Sequence, residues 1–352
     1  MHLFLLSGRS CAIATAIFVV FGFGSAHSCF ADEVSDFYAG KTINVVVGYQ
    51  AGGGYDLYAR LAAQFFSRYV PGHPAVIVQD MPGAGGLTAA RYLLDAAPKD
   101  GTVIGIPSQT LAFDTLLGYS AGVDAGRFSW LGRMATNVEV GAAFAKTGIA
   151  SIEDLRTRTV SIGGTGGTAS TSVIPFLLNK LAGTQFKIVN GYRSAYEVVL
   201  AVERGEMDMV GGIGLATIEL RFGQQIKDGS LRLIFQSGVG RHPDIPGVPN
   251  ISEFGRIDEE RQMLALFSST SAIGRSLIAP PGVPSARVAA LQQAVAAMMT
   301  GPDLPGYAAQ HSIAIEPASA AEVAGLVHNT LATAPVLAQK TRAVLESMKT
   351  QR

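Results

Sequence analysis

The chain has 352 residues, of which 48% are hydrophobic and 15% charged, and its 27 basic residues balance 27 acidic ones. A chain of this length usually divides into two domains, because single cores stop growing beyond roughly 250 to 300 residues. The neutral balance lacks the concentrated positive charge of proteins that bind nucleic acid or anionic membrane surfaces, which argues against those partners and favours a small molecule.

The N-terminus has the pattern of a secretory signal peptide. Arg9 supplies a short basic start, residues 11–23 are an apolar stretch too short to span a bilayer, and Cys29-Phe30-Ala31 has the small-x-small form of a cleavage site. We predict cleavage after Ala31, which makes residues 1–31 a signal peptide and the mature protein an exported one. An uncleaved N-terminal anchor is the alternative.

Cleavage there changes the chemistry that the mature chain can perform. It removes Arg9, so 26 basic residues face 27 acidic ones, and it removes both cysteines, Cys11 and Cys29. The mature chain therefore has no disulfide, no thiolate metal site and no cysteine nucleophile.

The rest of the chain alternates buried strands with helices. Residues 43–47 form a nearly continuous β-branched run, typical of a strand buried on both faces of a parallel sheet. The other predicted strands are 76–78, 102–106, 159–162, 186–189, 207–210 and 231–235. The predicted helices are 57–66, 89–97, 109–117, 171–181, 194–203, one after Pro284, and 320–344, which Pro335 must interrupt. This alternation predicts an α/β fold with doubly wound, mostly parallel sheets.

One unit recurs, once in each half: a buried strand, a glycine turn and a helix. Residues 118–158, between the halves, include an apolar segment at 138–145 and a helix start signal at Ser151-x-x-Asp154. We expect the chain to cross between domains there.

The glycine turns are the strongest chemical signal. The first glycine loop is residues 51–54, and the second is residues 163–167. The first turn of a helix has unpaired N–H groups and a partial positive charge, and glycine lets a carboxylate approach them closely. Two such loops facing each other could hold one carboxylate from both sides.

The second loop also has the spacing of a dinucleotide fingerprint, Gly164-x-Gly166-x-x-Ala169. That interpretation requires an acidic residue about twenty positions further on, where the sequence has Val189-Asn190-Gly191. A plain tight turn is the other alternative to anion binding.

Side chains beside the loops have a functional and a structural interpretation. Tyr55 and Tyr192 would stack on a ligand or offer a hydroxyl, or else pack with an exposed tip. Asp56 suits a first-turn or N-cap carboxylate better than a ligand contact. Asp208, at the start of a strand, is interpreted as structural.

Catalytic motifs give little support to an enzyme. The mature histidines, at positions 73, 242, 311 and 328, are scattered without metal-ligand spacing. Ser108, Ser170 and Ser237 lie in no Gly-x-Ser-x-Gly elbow, and only Ser237 has a histidine nearby, His242. We expect no metal, no cofactor and no catalytic residue.

Six motifs in order make the chain resemble the Bug-type (TctC-like) extracytoplasmic solute receptors of tripartite tricarboxylate transporters. They are INVVV at 43–47, AGGGYD at 51–56, PGAGG at 82–86, APKDGT at 97–102, RGEMD at 204–208 and APPGVP at 279–284. The resemblance covers essentially the whole mature chain.

The resemblance implies a two-lobed, type II-like periplasmic binding protein, or Venus flytrap. It would close on a small carboxylate, a di- or tricarboxylate or an aromatic acid, and deliver it to the integral-membrane permease of a tripartite tricarboxylate transporter. We expect a monomer without nucleic-acid partners. The first lobe is predicted as residues 32–135 with 272–352, and the second as residues 136–271.

The resemblance also implies the ligand contacts, through backbone amides, hydroxyls and bridging waters. The predicted ligand-binding residues are Gly52, Gly53, Gly54, Tyr55, Gly85, Ser108, Thr165, Gly166, Gly167, Thr168, Ser170 and Tyr192.

The sequence departs from the family pattern at two places. Threonines replace serines in the second loop, with Thr171-Ser172-Val173 where many relatives have a histidine, and the strand from Met207 ends in Val210-Gly211-Gly212 instead of an acidic residue. Both departures leave the identity of the acid open. A secreted α/β hydrolase acting on a carboxylate ester and a ligand-sensing subunit for signalling are the alternative functions.

Overall fold

The computed structural model describes residues 27–167, 169–311 and 313–348, without the side chains of residues 27–32. The strands are β1 Thr42–Val47, β2 Ala75–Asp80, β3 Val103–Ile106, β4 Ser129–Arg133, β5 Glu139–Phe144, β6 Val160–Gly164, β7 Phe186–Asn190, β8 Met209–Gly214, β9 Leu231–Ser237 and β10 Ser276–Ala279. The helices are α1 His27–Tyr38, α2 Gly54–Phe65, α3 Leu87–Asp95, α4 Leu111–Leu116, α5 Ile152–Thr157, α6 Ser170–Leu181, α7 Ala195–Arg204, α8 Leu215–Lys227, α9 Asp258–Ser268, α10 Ser285–Thr300, α11 Asp303–Gln310, α12 Ala320–Leu331 and α13 Pro335–Glu346.

The strands form two five-stranded sheets with the same plan. The first lobe has the order β2-β1-β3-β10-β4, and the second has the order β7-β6-β8-β5-β9. Three neighbouring strands in each sheet are parallel, while β10 and β5 each run antiparallel to both of their neighbours. The predicted fold class, two mostly parallel sheets flanked by helices, is confirmed.

The antiparallel strand in each sheet is the one that arrives from the other lobe. The chain leaves the first sheet after β4 and enters the second at β5, then leaves after β9 and returns at β10. The two crossings are hydrogen-bonded to each other: the Asn137 N–H donates to the Ser271 carbonyl at 3.0 Å, and the Arg275 N–H to the Ala135 carbonyl at 2.8 Å. These two segments thus form one hydrogen-bonded joint between the lobes.

The strand–glycine–helix unit lies second in each sheet. β1 is buried on both faces, as its sequence predicts: Val45 and Val47 pack with the α2 core, while Val46 packs with the α3 core on the other face. Burial of each such side chain stabilises the fold by roughly 2 kcal/mol. The cores of the lobes therefore fix the strands whose ends carry the glycine loops.

Several local signals are confirmed. The Asp154 carboxylate accepts the Ser151 N–H at 2.9 Å at the start of α5, and Pro335 begins α13. Asp208 has the structural role that we predicted, because its carboxylate accepts both the backbone N–H and the hydroxyl of Ser161, each at 2.6 Å, which ties β8 to β6.

The division into residues 32–135 with 272–352 and residues 136–271 stays a prediction, and α13 departs from it. This helix was expected in the first lobe but packs against α6 and α9 of the second. Leu345 is buried there, with Leu337 and Val344 partly buried beside it. The apolar stripe of α13 covers that lobe's core.

The N-terminal prediction falls mostly outside the described residues. Of the predicted signal peptide, residues 1–26 are not described, and α1 runs across the predicted cleavage point at Ala31. Among the described helices, none combines the length and apolarity needed to cross a bilayer.

The close packing of β5 against β9 gives a stability prediction. Gly141 lies opposite Phe235, and a Cβ at position 141 would overlap the buried Phe235 ring. Gly141→Ala should lower the free energy of unfolding by about 2 kcal/mol, because overpacking displaces the ring. Gly223→Ala on α8 is the control, because a Cβ there meets nothing within 4 Å and alanine favours helix. Equal urea midpoints for Gly141→Ala and wild type would contradict this packing.

Candidate functional site

A cavity of about 410 Å³ lies between the lobes and is lined by loops from both. We call it the central cavity. The first lobe contributes the loops after β1, β2 and β3, and the second contributes the loops after β6, β7 and β8. β1 and β3, and likewise β6 and β8, are neighbours at the point where each sheet's strand order reverses, which leaves a crevice at the carboxyl ends of the strands. The two crevices face each other.

The central cavity brings together most of the predicted ligand contacts. Those that line it are Gly53, Gly54, Tyr55, Gly85, Ser108, Thr165, Ser170 and Tyr192. Gly52, Gly166 and Gly167 belong to the same loops but do not line it, and Thr168 lies outside the described residues. The role of this set in binding a ligand stays a prediction.

A larger groove, of about 920 Å³, lies elsewhere on the first lobe, between β4, α10 and α12. It is lined by none of the predicted residues.

The first glycine loop is held in shape by Asp56. Helix α2 begins at Gly54 with Gly53 as its N-cap, so the loop leads directly into the first turn. The buried Asp56 carboxylate accepts the Gly52 N–H at 2.7 Å and pairs with Arg60 at 2.8 Å. The predicted first-turn role of Asp56 is confirmed. Because the Gly52 N–H is hydrogen-bonded to this carboxylate, it is not free to bind a ligand.

The second glycine loop is folded back on the start of α6. The Thr171 hydroxyl accepts the Thr165 N–H at 3.0 Å and lies 2.9 Å from the Thr165 hydroxyl. Ala169 is the N-cap, and the helix begins at Ser170, which lines the cavity. Both loops therefore present a helix N-terminus to the same space, where an anion is stabilised by N–H groups and the helix dipole.

Two tyrosines form a wall of the central cavity. The rings of Tyr49 and Tyr55 are stacked, with centroids 4.2 Å apart. The Tyr55 hydroxyl accepts the Gln109 N–H at 3.0 Å, and the Tyr49 hydroxyl lies 3.1 Å from that of Ser108. Burial raises the pKa of Tyr49 well above its ordinary value. The hydrogen bonds thus fix the stack as an aromatic surface of the cavity.

Sequence reasoning missed two buried charges in the central cavity, Glu139 and Arg275, which are 7% and 4% exposed. Ser170 donates its hydroxyl to Glu139 Oε1 at 2.6 Å, and Arg275 Nη2 donates to Asn137 Oδ1 at 2.7 Å. Burial raises the pKa of Glu139, while Ser170, Arg275 and Asn137 act in the opposite direction. Each is a single charge in an apolar run, a pattern that indicates a buried and partnered group.

A hydrogen-bond chain leads from the cavity to a buried acid. The Ser108 hydroxyl is 2.9 Å from that of Thr110, which donates to Asp114 Oδ2 at 2.8 Å. Burial raises the pKa of Asp114 to about 7, although the Thr110 hydrogen bond opposes the shift. Asp114 therefore titrates near neutral pH.

The serine and histidine considered as an enzyme site make other contacts. The Ser237 hydroxyl lies 3.3 Å from that of Ser268, and the His242 ring faces Glu316 and Asp244 at 3.6 and 3.8 Å. Within the described ranges, no group of three histidine, cysteine, aspartate or glutamate side chains is placed to hold a metal ion.

Comparison with known proteins identifies a matching family and two related sequences. The family model TctC, "Tripartite tricarboxylate transporter family receptor", matches residues 59–342. A UPF0065 protein of Bordetella bronchiseptica is 29% identical over 226 residues, which are 60% of this chain and 63% of that protein, so the match spans less than two thirds of it. A UPF0065 protein of Cupriavidus necator is 26% identical over 79% of both chains.

Solved structures share the fold. MatC from Rhodopseudomonas palustris, with bound malate, has a TM-score of 0.65 and 18% identity over 87% of this chain and 99% of that one. Another R. palustris protein, with adipate, has a TM-score of 0.66 and 20% identity, covering 86% of this chain and 97% of that one. The periplasmic binding protein BugD has a TM-score of 0.65 and 18% identity over 87% and 98%. The fold is that of two-lobed periplasmic binding proteins.

Asp114 gives a pH prediction with a defined sign. Its pKa is about 7 in the folded chain against an ordinary value of 3.8, so between these values the folded state holds a proton that the unfolded state has lost. The free energy of unfolding should therefore fall as pH rises from 4 to 7. Asp114→Asn, which keeps an oxygen for Thr110, should remove roughly 3 kcal/mol of this decline.

Urea unfolding at half-unit pH steps measures the effect, with Asp258→Asn on α9 as the control. Parallel curves for Asp114→Asn and wild type would show that Asp114 is not the titrating group.

Proposed function

Because the chain belongs to the TctC family of tripartite tricarboxylate transporter receptors, we propose that it captures a small carboxylate in the central cavity and delivers it to the permease of such a transporter. The family is one of periplasmic solute-binding receptors, not of enzymes. The observation that carries the proposal is that two glycine loops, one from each lobe and each leading into a helix N-terminus, line the same cavity.

The cavity has the size and chemistry for a small acid. About 410 Å³ is within the range of pockets that enclose a small molecule. Helix N-termini supply N–H donors and partial positive charge, and the Tyr49–Tyr55 stack supplies an apolar face. Solved structures of the same fold contain malate and adipate. These features support a carboxylate ligand held by one group from each lobe.

Binding across two lobes gives a mechanism for signalling occupancy to the permease. A ligand that contacts both lobes binds more tightly when they are close together, so it shifts the population towards the closed arrangement. The paired crossings 134–138 and 271–275 are the segments about which the lobes would rotate. A small acid enclosed in this way should bind at about micromolar Kd, or roughly 8 kcal/mol.

The first glycine loop offers a direct test. Gly53 has φ of −86°, and a Cβ there would come no closer than 3.6 Å to the Gln50 carbonyl, so a side chain is tolerated by the backbone. Gly53→Leu should place its side chain at the helix N-terminus and weaken carboxylate binding at least about 100-fold, with a stability loss of about 1 kcal/mol because leucine is a poor N-cap. Calorimetry with the acid selected in a melting-temperature screen of mono-, di- and tricarboxylates measures the loss.

Gly247→Leu is the matched control, since a Cβ at Gly247 meets nothing within 4 Å and the residue is exposed and outside the central cavity. Unchanged affinity in Gly53→Leu would remove the first loop from the site. Turnover of a carboxylate ester by the wild type, with no melting shift from any free acid, would favour the hydrolase instead.

A further inference from the structure

The central cavity is lined by an arginine side chain, Arg275, whose hydrogen-bond donors are only partly used. Arg275 lies on the second crossing, is 4% exposed, and lines the cavity. Nη2 donates to Asn137, but Nε and Nη1 are buried and have no hydrogen-bond partner among the described residues. A guanidinium carries five N–H donors and stays charged, so leaving two nitrogens unpaired in the interior is costly.

The surroundings of Arg275 are built to accommodate it. Its guanidinium carbon lies 3.7 Å from the centroid of the Tyr55 ring, a cation–π contact. A Cβ on Gly54 would come within 3.0 Å of Nη2, and one on Gly214 within 3.5 Å. One of these glycines belongs to the first lobe and the other to the second. A side chain at position 54 would crowd the guanidinium, while one at position 214 would crowd Asn137, the partner of Nη2, at 2.7 Å.

A buried acid lines the same cavity and interacts electrostatically with this arginine, but the two side chains do not form a direct ion pair. Glu139 Oε1 accepts from Ser170, but Oε2 is buried without a hydrogen-bond partner in the part of the chain that the structure describes. The ion pairs found among the described residues do not join Glu139 to Arg275. Two opposite charges therefore line one cavity with unused donors on one and an unused acceptor on the other.

We propose that Arg275 and Glu139 form a charged subsite that determines specificity: Arg275 binds a second anionic group of the ligand, and Glu139 accepts a hydrogen bond from a hydroxyl or ammonium group. This rests on the proposed function, in which the glycine loops hold the first carboxylate. The preferred class is a dicarboxylate with a hydrogen-bond donor on its chain. Such a ligand supplies the partners that both buried charges lack.

The first test compares acids of equal chain length on the wild-type protein. Calorimetry with succinate and butyrate, glutarate and valerate, and adipate and hexanoate isolates the second carboxylate. We expect the diacid of the best-fitting pair to bind about 10- to 100-fold more tightly, because hydrogen bonds to a charged group are strong in a buried site. Equal affinities within every pair would overturn the proposal without any substitution.

The second test removes the cation. Arg275→Met should abolish the preference for the diacid while changing the affinity for the monoacid by less than about threefold. Arg275→Lys, which keeps the charge but not the planar fork, should retain part of the preference. Arg241→Met is the control: it removes an arginine that is paired with Glu253 outside the cavity, and should leave the preference intact.

The third test addresses Glu139 with malate and aspartate against succinate. The wild type should prefer the donor-bearing acids, and Glu139→Gln, which keeps an oxygen for Ser170, should lose that preference by a factor of about ten. Succinate bound as tightly as malate and aspartate by the wild type would overturn the role of Glu139.

The experiments distinguish failure of the proposed function from failure of the Arg275–Glu139 subsite. If no acid shifts the melting temperature of the wild type, the proposed function fails and the subsite with it. If acids bind but Arg275→Met weakens diacid and monoacid equally, the function stands and the subsite is wrong. Circular dichroism confirms folding of each variant, and if Arg275→Met does not fold, Arg275→Lys and the wild-type pairs decide.

Discussion

The hydrogen-bonded pairing of the two crossings is the constraint on which the site depends. Residues 134–137 and 271–275 exchange backbone hydrogen bonds between the sheets, as Met134 with Arg275 and Asn137 with Ser271 show. Because each crossing ends in the antiparallel strand of the sheet that it enters, the pairing fixes how the carboxyl ends of the parallel strands face each other. The cavity exists because two switch-point crevices are opposed across this joint.

The parts of the fold that local patterns determine were predictable. The β-branched run at 43–47 is β1, and the unit at 159–181 contains β6 and α6. Both are predictable because their apolar residues are continuous in sequence and are buried almost completely. Helices with narrow stripes were missed. α9 buries Met263, Leu264, Phe267 and Ser268, too few apolar positions for its period to stand out from a polar segment.

Features set by distant partners were not predictable. β4 and β10 are short, and they become strands because each pairs with the other across more than 140 residues. Likewise, nothing in the sequence of α13 states which lobe its apolar stripe covers. The glycine loops can be found in the sequence because backbone exposure is a local property. The places of Arg275 and Glu139 in the site cannot be found in this way, because only the folded crossings bring the two residues to one cavity.

The glycines between β1 and α2, at positions 48, 52, 53 and 54, have different roles, although the sequence alone does not distinguish them. A Cβ on Gly48 would lie 2.6 Å from the Gly86 Cα, so Gly48 allows two loops of the first lobe to pack backbone against backbone. Gly52 adopts φ of +85° and gives its N–H to Asp56, which makes it a turn residue. Gly53 needs neither a positive φ nor a close backbone contact.

The physical reason for a glycine therefore has to be found separately at each position. At Gly53 packing and φ both permit a side chain, so the physical reasons that remain are its N-cap position, where glycine is favoured over apolar residues, and access to the helix N-terminus. Gly54 differs again, because a Cβ there would meet Thr217 of the second lobe at 2.8 Å and Arg275 of the joint at 3.0 Å. Gly52 thus forms the turn, Gly53 leaves the N–H groups of the helix N-terminus accessible, and Gly54 leaves room for the Arg275 guanidinium. A substitution at each should therefore disturb a different property: loop closure at Gly52, anion affinity at Gly53 and the approach of the second lobe at Gly54.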